Sequence, residues 1–180
     1  MINEEIQDII EQLHVNDRTA YLGNAEPEKP VKEIEKLINI GYKAVPSLIK
    51  ELQNYGKGGT AYYYAEYVIE ALGEIGDPRS LEELVKMMDI DFDIEIHEKA
   101  VLAISKLGDI SISYYLDKVN QTKSSEIIFD ALWVFLHIKE KNTDVLGFAK
   151  QILQDNKEYD LKVSAVEVIG QMVTRRKLPR

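Results

Sequence analysis

The stretch Tyr64-Ala-Glu-Tyr-Val-Ile-Glu-Ala-Leu-Gly-Glu-Ile-Gly-Asp-Pro78 predicts one helix followed by a sharp stop. Its apolar residues recur at spacings of three and four, which places one set on a single helical face: Ala65, Val68, Leu72 and Ile75. Gly76 can adopt the left-handed conformation that ends a helix, Asp77 can cap the next helix, and Pro78 suits its first turn. The stretch therefore predicts a helix, a turn and the start of a second helix.

Shorter copies of this stretch recur along the chain at a nearly fixed interval. Aligned on Ile40, Ile75, Leu107, Phe135 and Ile169, the copies are separated by steps of 35, 32, 28 and 34 residues. A period of about 20 to 50 residues is typical of solenoids, in which each unit buries its apolar face against its neighbours. Because a second apolar segment lies between successive copies, each unit is predicted to be a helix pair.

The motif Ala71-Leu-Gly-Glu-Ile-Gly-Asp77 resembles the HEAT family, specifically the short bacterial form also found in phycobilisome lyases. The second helix of that repeat typically ends in Ala-Leu-Gly-x-Ile-Gly-Asp. The resemblance covers roughly residues 31–173 and implies an all-α fold, a right-handed α-solenoid of about five helix pairs. HEAT arrays serve as scaffolds, inhibitors and occasionally enzymes, so the resemblance is better evidence for fold than for function.

One repeat domain is expected over residues 1–180, with the repeats in 31–173 and a basic tail in 174–180. Residues 1–30 are expected to form an N-terminal cap helix and a long loop. That loop, from His14 to Pro30, shows no steady apolar period. The favoured interpretation is a plain connector, and the alternative is a binding loop.

Two shorter segments have the composition of possible ligand sites. The glycine-rich spacer Asn54–Thr60 lacks both common phosphate-binding arrangements. The crossing Asp89–His97 is predicted to be an extended loop with Ile90, Phe92 and Ile94 tucked beneath it. Its carboxylates are hard oxygen ligands for a cation, but the glycine and loop length of an EF-hand are absent, so solubility and helix capping remain the simpler interpretation.

Composition narrows the choice of partner and compartment. The chain has no cysteine and a formal net charge of -9, which disfavours disulfides, thiolate metal sites and binding to a phosphate backbone. No basic leader and no run of 18 apolar residues is present, so a cytoplasmic protein that does not bind membranes is expected. The acidity favours a protein partner with a basic surface.

In a HEAT array the second helices usually line the concave surface, so polar-side residues on those helices are the candidate partner-binding site. In the second pair these residues form one line: Tyr63, Tyr67, Glu70 and Glu74. Tyrosine is enriched at binding surfaces, although tyrosines here could instead pack against neighbouring repeats, as is favoured for Tyr62 and Tyr64.

The equivalent line two pairs later reads Glu126, Asp130, Trp133 and His137. Trp133 stands where Gly73 stands in the best-matching repeat. If the register of this repeat holds, Trp133 is the best candidate for a binding hot spot; if the register slips by one residue, Trp133 is core. The line between these two, Glu95 to Lys106, has mixed charge, so an acidic and aromatic patch is expected on either side of a neutral strip.

Catalysis has little support in the sequence. The three histidines are far apart, no serine lies in a GxSxG context, and no metal or cofactor site is predicted. The favoured function is therefore a non-catalytic, monomeric protein-binding module, with a toxin-neutralising immunity protein as a narrower version. A HEAT-like DNA glycosylase using Trp133 and Asp130 is disfavoured by the acidic lines. A chromophore-lyase subunit, suggested by the repeat subtype, is disfavoured by the lack of a cysteine and of a basic pocket.

Overall fold

The fold is all-α, as predicted. The computed structural model describes residues 2–23, 29–55, 63–89, 94–155 and 157–174, but not the side chains of residues 15–23 and 63. The described residues contain no strand and form these α-helices: α1 Ile2–Gly23, α2 Val31–Ile40, α3 Val45–Gln53, α4 Tyr63–Ile75, α5 Leu81–Met88, α6 Ile94–Lys106, α7 Asp109–Thr122, α8 Ser125–His137, α9 Thr143–Asp155 and α10 Tyr159–Thr174.

The helices form two compact units, residues 1–107 and residues 108–180. In the first unit the second helices α2, α4 and α6 pack side by side, while α1 packs on α2, α3 on α4 and α5 on α6. In the second unit α8 packs against α10, with α7 on α8 and α9 on α10. Each unit is thus a stack of the predicted helix pairs. The right-handed superhelix and the single domain over 1–180 stay predictions.

The turn after α4 has the predicted chemistry. Gly76 has φ +69 and its N–H donates to the Leu72 carbonyl at 3.1 Å, which ends the helix. Asp77 then accepts a hydrogen bond from the Arg79 N–H at 2.9 Å, and Pro78 opens the short 3-10 turn that leads into α5. Gly41 and Gly108 occupy the same position in other repeats and also have positive φ, so the repeat alignment is correct at three turns.

An alanine lies four residues before the alignment position in four of the repeats, and it is tightly packed in the core. Ala71, Ala103, Ala131 and Ala165 are at most 1% exposed, which is expected where helices of one layer approach closely. In α8 the repeat position Phe135 is fully buried and its ring lies edge-on to both Tyr115 and Phe148. The register assumed for this repeat therefore holds.

Two boundary predictions were wrong. The segment predicted to be a loop from His14 continues as helix to Gly23, because no glycine or proline interrupts it and residues such as Asn16 and Asp17 each cost a helix only about 0.7 kcal/mol. Ile94, predicted to be tucked beneath a loop, is the first residue of α6 and is 75% exposed. Residues 24–28, 56–62, 90–93 and 175–180 lie outside the described residues, so the predictions for Tyr62, Ile90, Phe92 and most of the basic tail fall there.

Candidate functional site

The acidic side of α4 is matched by lysines from neighbouring segments. Glu66, Glu70 and Glu74 follow one another at spacings of four, and each lies near an ammonium group. The distances are 3.8 Å from Glu66 to Lys99, 2.8 Å from Glu70 to Lys29 and 2.6 Å from Glu74 to Lys106. Because Lys99 and Lys106 belong to α6, the mixed-charge line predicted on that helix neutralises part of the acidic line predicted on α4.

The tyrosines predicted on the exposed side of α4 are not a continuous surface. Tyr67 is buried, with 9% of its surface exposed, because α4 is packed between α2 and α6. Tyr63 begins the helix, and its side chain is outside the described residues. Tyr64 is buried as predicted, with its ring centroid 4.4 Å from that of His14. Partner binding by Tyr63, Tyr67, Glu70 and Glu74 stays a prediction.

Acidity is concentrated in the first unit. Residues 1–107 contain 21 acidic and 11 basic residues, whereas residues 108–180 contain 10 acidic and 11 basic residues. The residues around Trp133 therefore belong to a nearly neutral unit, and partner binding by Asp130, Trp133 and His137 stays a prediction. Averaging the charge over the whole chain had concealed this difference.

The aromatic residues of α8 form a partly exposed pair. Phe129 is 40% exposed, and its ring lies edge-on to Trp133 with 5.8 Å between centroids. Trp133 itself is neither exposed nor buried, so it falls between the two predicted alternatives. His137 is partly exposed one turn later and donates from Nδ1 to the Trp133 carbonyl at 2.9 Å. We call Phe129 and Trp133 the aromatic pair of α8.

Acidic residues border this pair along the same helix. Asp130 is partly exposed and lies one turn before Trp133, while Glu126 is exposed two turns before it. Phe129 was missed because the line predicted on α8 comprised only Glu126, Asp130, Trp133 and His137. Its spacing of four from Trp133 was the available signal, since residues four apart share a helical face.

No catalytic cluster of histidines forms. His14 donates from Nε2 to Glu51 at 3.0 Å, and His97 donates from Nδ1 to the Met88 carbonyl at 2.8 Å, which joins α6 to the end of α5. Within the described ranges, no three His, Asp or Glu side chains are grouped so that they could hold a metal ion. The helices described here also include none with the length and apolar character needed to cross a membrane.

Comparison with known proteins identifies the repeat. Residues 65–89 match the family model for the PBS lyase HEAT-like repeat. This segment is a HEAT-like repeat of the phycobilisome lyase type. The matched segment includes most of α4, the Gly76–Pro78 turn and α5. The repeat was predicted from the first two of these parts.

Two further proteins resemble the chain over longer stretches. Phycocyanobilin lyase subunit beta of Pseudanabaena tenuis is 29% identical over 108 residues, which is 60% of this chain and 36% of that protein. The chain thus spans about a third of the length of this curated relative. A chain in the complex of CpcE and CpcF of phycocyanin lyase from Nostoc sp. PCC7120 is similar in structure, with a TM-score of 0.53 and 18% identity over 91% of this chain and 96% of that one. The latter likeness concerns the fold.

These HEAT-like relatives correct the functional prediction. The sequence had favoured a non-catalytic binding module rather than an enzyme, with an immunity protein or, less favoured, a DNA glycosylase as alternatives. The curated relative is instead named as a subunit of a phycocyanobilin lyase, so the non-catalytic prediction was wrong. The curated relative favours the chromophore-lyase subunit. This was the least favoured hypothesis on the sequence, because only the repeat subtype suggested it.

Proposed function

We propose that this chain contributes to a bilin lyase activity as a helical-repeat subunit that holds the bilin for an acceptor protein. The observation that carries the proposal is the 29% identity over 108 residues to a phycocyanobilin lyase subunit. Because that match covers 36% of the relative, the substrate and the activity of this chain are inferences from it. The same repeat type in residues 65–89 supports the proposal independently of the longer alignment.

The aromatic pair of α8 is the surface that best suits a bilin. A bilin is a linear, conjugated tetrapyrrole, so it offers flat apolar faces and a row of pyrrole nitrogens. Phe129 and Trp133 present partly exposed rings on which such a face can stack, and aromatic contacts of this kind are favourable beyond the area that they bury. Asp130, on the same helix, provides a carboxylate that can accept hydrogen bonds from pyrrole N–H groups.

The acceptor and a second subunit would be other proteins. The chain has no cysteine, so a thiol to which a bilin becomes attached lies outside these 180 residues. The chain resembles proteins named as a lyase subunit and as part of a two-chain complex, which supports a protein partner. We propose that the chain is a cytoplasmic monomer before it meets this partner, and that its acidic residues 1–107 favour a partner or acceptor with a basic surface.

Trp133 provides a direct test of bilin binding, because it is the only tryptophan in the chain. Purified protein is titrated with phycocyanobilin while tryptophan emission and visible absorbance are recorded. We expect the bilin to quench Trp133 emission and its own absorbance to change on binding. N-acetyltryptophanamide titrated in parallel corrects for light absorbed by the bilin.

Two variants make this titration specific to the site. Phe129→Ala removes the ring beside Trp133 and should weaken binding by about tenfold, since an aromatic contact is worth about 0.5–1.5 kcal/mol and its buried area adds to this. Tyr42→Ala is the control, because Tyr42 is also an exposed aromatic residue, 63% against 40% for Phe129, but lies in the other unit. Absence of any spectral change with the wild type would refute bilin binding, and equal binding by the Phe129 variant would remove the aromatic pair from it.

The lyase step requires a separate assay. The chain is incubated with phycocyanobilin and apo-phycocyanin, with and without purified CpcE or CpcF, and the acceptor is then examined for bilin colour after denaturation. Colour that depends on this chain supports a lyase role. Identical colour with and without the chain in every mixture would contradict that role while leaving bilin binding to be judged from the titration.

A further inference from the structure

His137 continues the aromatic pair of α8 by one further turn. Phe129, Trp133 and His137 follow one another at spacings of four, so their three rings lie along about 12 Å of one side of the helix. A linear tetrapyrrole stacked on Phe129 and Trp133 would therefore have one of its rings beside the imidazole. Bilin binding by the aromatic pair does not by itself give His137 a role.

The hydrogen bond of His137 fixes the state of its two ring nitrogens. The Trp133 carbonyl can only accept, so Nδ1, which lies 2.9 Å from it, carries the hydrogen of the neutral imidazole. Nε2 therefore has a lone pair. The side chain is partly exposed, and no group in the described part of the chain hydrogen bonds to Nε2. The imidazole is thus oriented by its own helix and offers Nε2 to a ligand.

The other two histidines are held by neighbouring helices. His14 donates from Nε2 to Glu51 at 3.0 Å, which joins α1 to α3. His97 donates from Nδ1 to the Met88 carbonyl at 2.8 Å, and its Nε2 is buried. Packing between helices accounts for the positions of these two side chains. It does not account for His137, whose hydrogen bond stays within α8.

The proposed lyase step needs a group that takes a proton near neutral pH. A cysteine is ordinarily a thiol at that pH, with a pKa of about 8.5, although the thiolate is the nucleophile. Carboxylates, with an ordinary pKa of about 4, are poor bases for a thiol, whereas imidazoles exchange protons near neutral pH. Beside the aromatic pair, this difference favours His137 over Asp130 for the proton transfer.

We propose that Nε2 of His137 takes the proton from the cysteine thiol of the acceptor protein, an inference that rests on the proposed function. The sulfur then forms a bond to the exocyclic ethylidene carbon of phycocyanobilin. The electron pair of the double bond that joined this carbon to the bilin ring moves to the ring carbon, which receives the proton from the imidazolium. The net change is the addition of S–H across one double bond, so no oxidant or reductant is consumed and the imidazole ends neutral.

Rescue by free imidazole tests this role in the lyase mixture whose colour depends on the chain. His137→Ala should lower the initial rate of bilin attachment by about a hundredfold, the usual order of loss for a general base. Imidazole in solution can carry the proton in place of the missing side chain, so it should raise the rate of this variant by at least about tenfold. His14→Ala is the control, because His14 is also a partly exposed histidine but lies in the other unit. Its rate should not respond to imidazole.

His137→Gln separates proton transfer from hydrogen bonding. Glutamine can form hydrogen bonds but does not take up a proton at neutral pH, so this variant should be as slow as His137→Ala. Both variants should fold, as judged by circular dichroism, and phycocyanobilin should still quench their Trp133 emission. The loss of rate should shrink at about pH 9, where much of the acceptor thiol ionises without a base.

The outcomes separate this inference from the proposed function. A wild-type rate for His137→Gln, a His137→Ala rate that imidazole does not raise, or a loss of equal size at about pH 7 and about pH 9 would each overturn the role of His137. Colour that depends on the chain but is unaffected by both substitutions would remove only this role. Absence of such colour with the wild type in every mixture would remove the proposed lyase function, and this role with it.

Discussion

Gly73 of α4 lies so close to α6 that a Cβ at this position would be 2.7 Å from the Ala103 Cα and 2.8 Å from its Cβ. The glycine of the repeat motif thus sets the distance between two second helices. Backbone atoms limit the space, so the contact cannot be relieved by rotating a side chain. In α8 the equivalent residue is Trp133, which shows that the same repeat position can carry either a close helix contact or a partly exposed aromatic side chain.

We expect Gly73→Ala to lower the free energy of unfolding by about 1–3 kcal/mol, because the added methyl group overpacks the α4–α6 contact. The measurement is urea unfolding followed by circular dichroism. Gly147→Ala is the matched control: Gly147 is also helical, but no heavy atom lies within 4 Å of its Cβ position. Alanine there should stabilise α9 by up to about 1 kcal/mol. Equal stability of the two variants would contradict the close contact.

The cap after α4 should make stability depend on pH. Hydrogen bonding from the Arg79 side chain to Asp77, at 2.8 and 2.7 Å, lowers the pKa of Asp77 below its ordinary value of 3.8. A carboxylate whose pKa is lower in the folded state stabilises the protein above its ordinary pKa, and this contribution is lost as pH falls through the lowered value. Arg79 also donates to the Tyr42 carbonyl at 2.8 Å, so the cap joins two turns of successive repeats.

Asp77→Ala should therefore lower the free energy of unfolding by about 0.5–2 kcal/mol at neutral pH. This difference in stability from the wild type should shrink below about pH 4. Thermal unfolding measured between neutral pH and pH 2.5 tests this expectation. Asp117→Ala, which removes an exposed carboxylate from α7, is the control and should not show the same convergence. A difference that stays constant with pH would mean that the charge of Asp77 does not contribute.

The ion pair between Glu74 and Lys106 should couple α4 to α6 weakly. Their side chains are 48% and 28% exposed, so solvent screens the attraction and we expect a coupling free energy of about 0.2–1 kcal/mol in a double-mutant cycle with alanine. Added salt should reduce it. The pair Glu82 and Lys86 is the control, because its two residues are 3.7 Å apart and lie within the same helix, α5. A coupling that is absent at low salt would show that the acidic line on α4 is not neutralised in solution.

Local chemistry explains which parts of the fold were predictable. A glycine, a capping aspartate and a proline in succession can be satisfied by few backbone conformations, so Gly76–Pro78 specified its own turn. The recurring alanine also helped to identify the repeat, because only a small side chain fits where neighbouring second helices meet. The signal of the turn acts over a few residues and does not depend on what lies across the helix interface.

Features that depend on neighbouring helices were less predictable. Tyr67 occupies a position that appears polar when α4 is considered alone, but the helices on both sides of α4 bury it. Glu70 appeared available for a partner until Lys29, 41 residues earlier, was found beside it. The length of α1 was misjudged for a different reason: weak helix formers were treated as helix stops.

Leu132 and Val166 occupy the same position in the repeat alignment but differ in burial, 1% against 53% exposed. Replacing each with alanine should therefore lower the free energy of unfolding by different amounts. Leu132→Ala removes fully buried groups and should lower the free energy of unfolding by about 2–5 kcal/mol. Val166→Ala should change it by no more than about 0.5 kcal/mol in the isolated chain, because water already reaches much of that side chain. Urea unfolding of both variants at low protein concentration measures the two values. If Val166→Ala proved as costly as Leu132→Ala, the Val166 side chain would be packed in the free protein, contrary to its exposure.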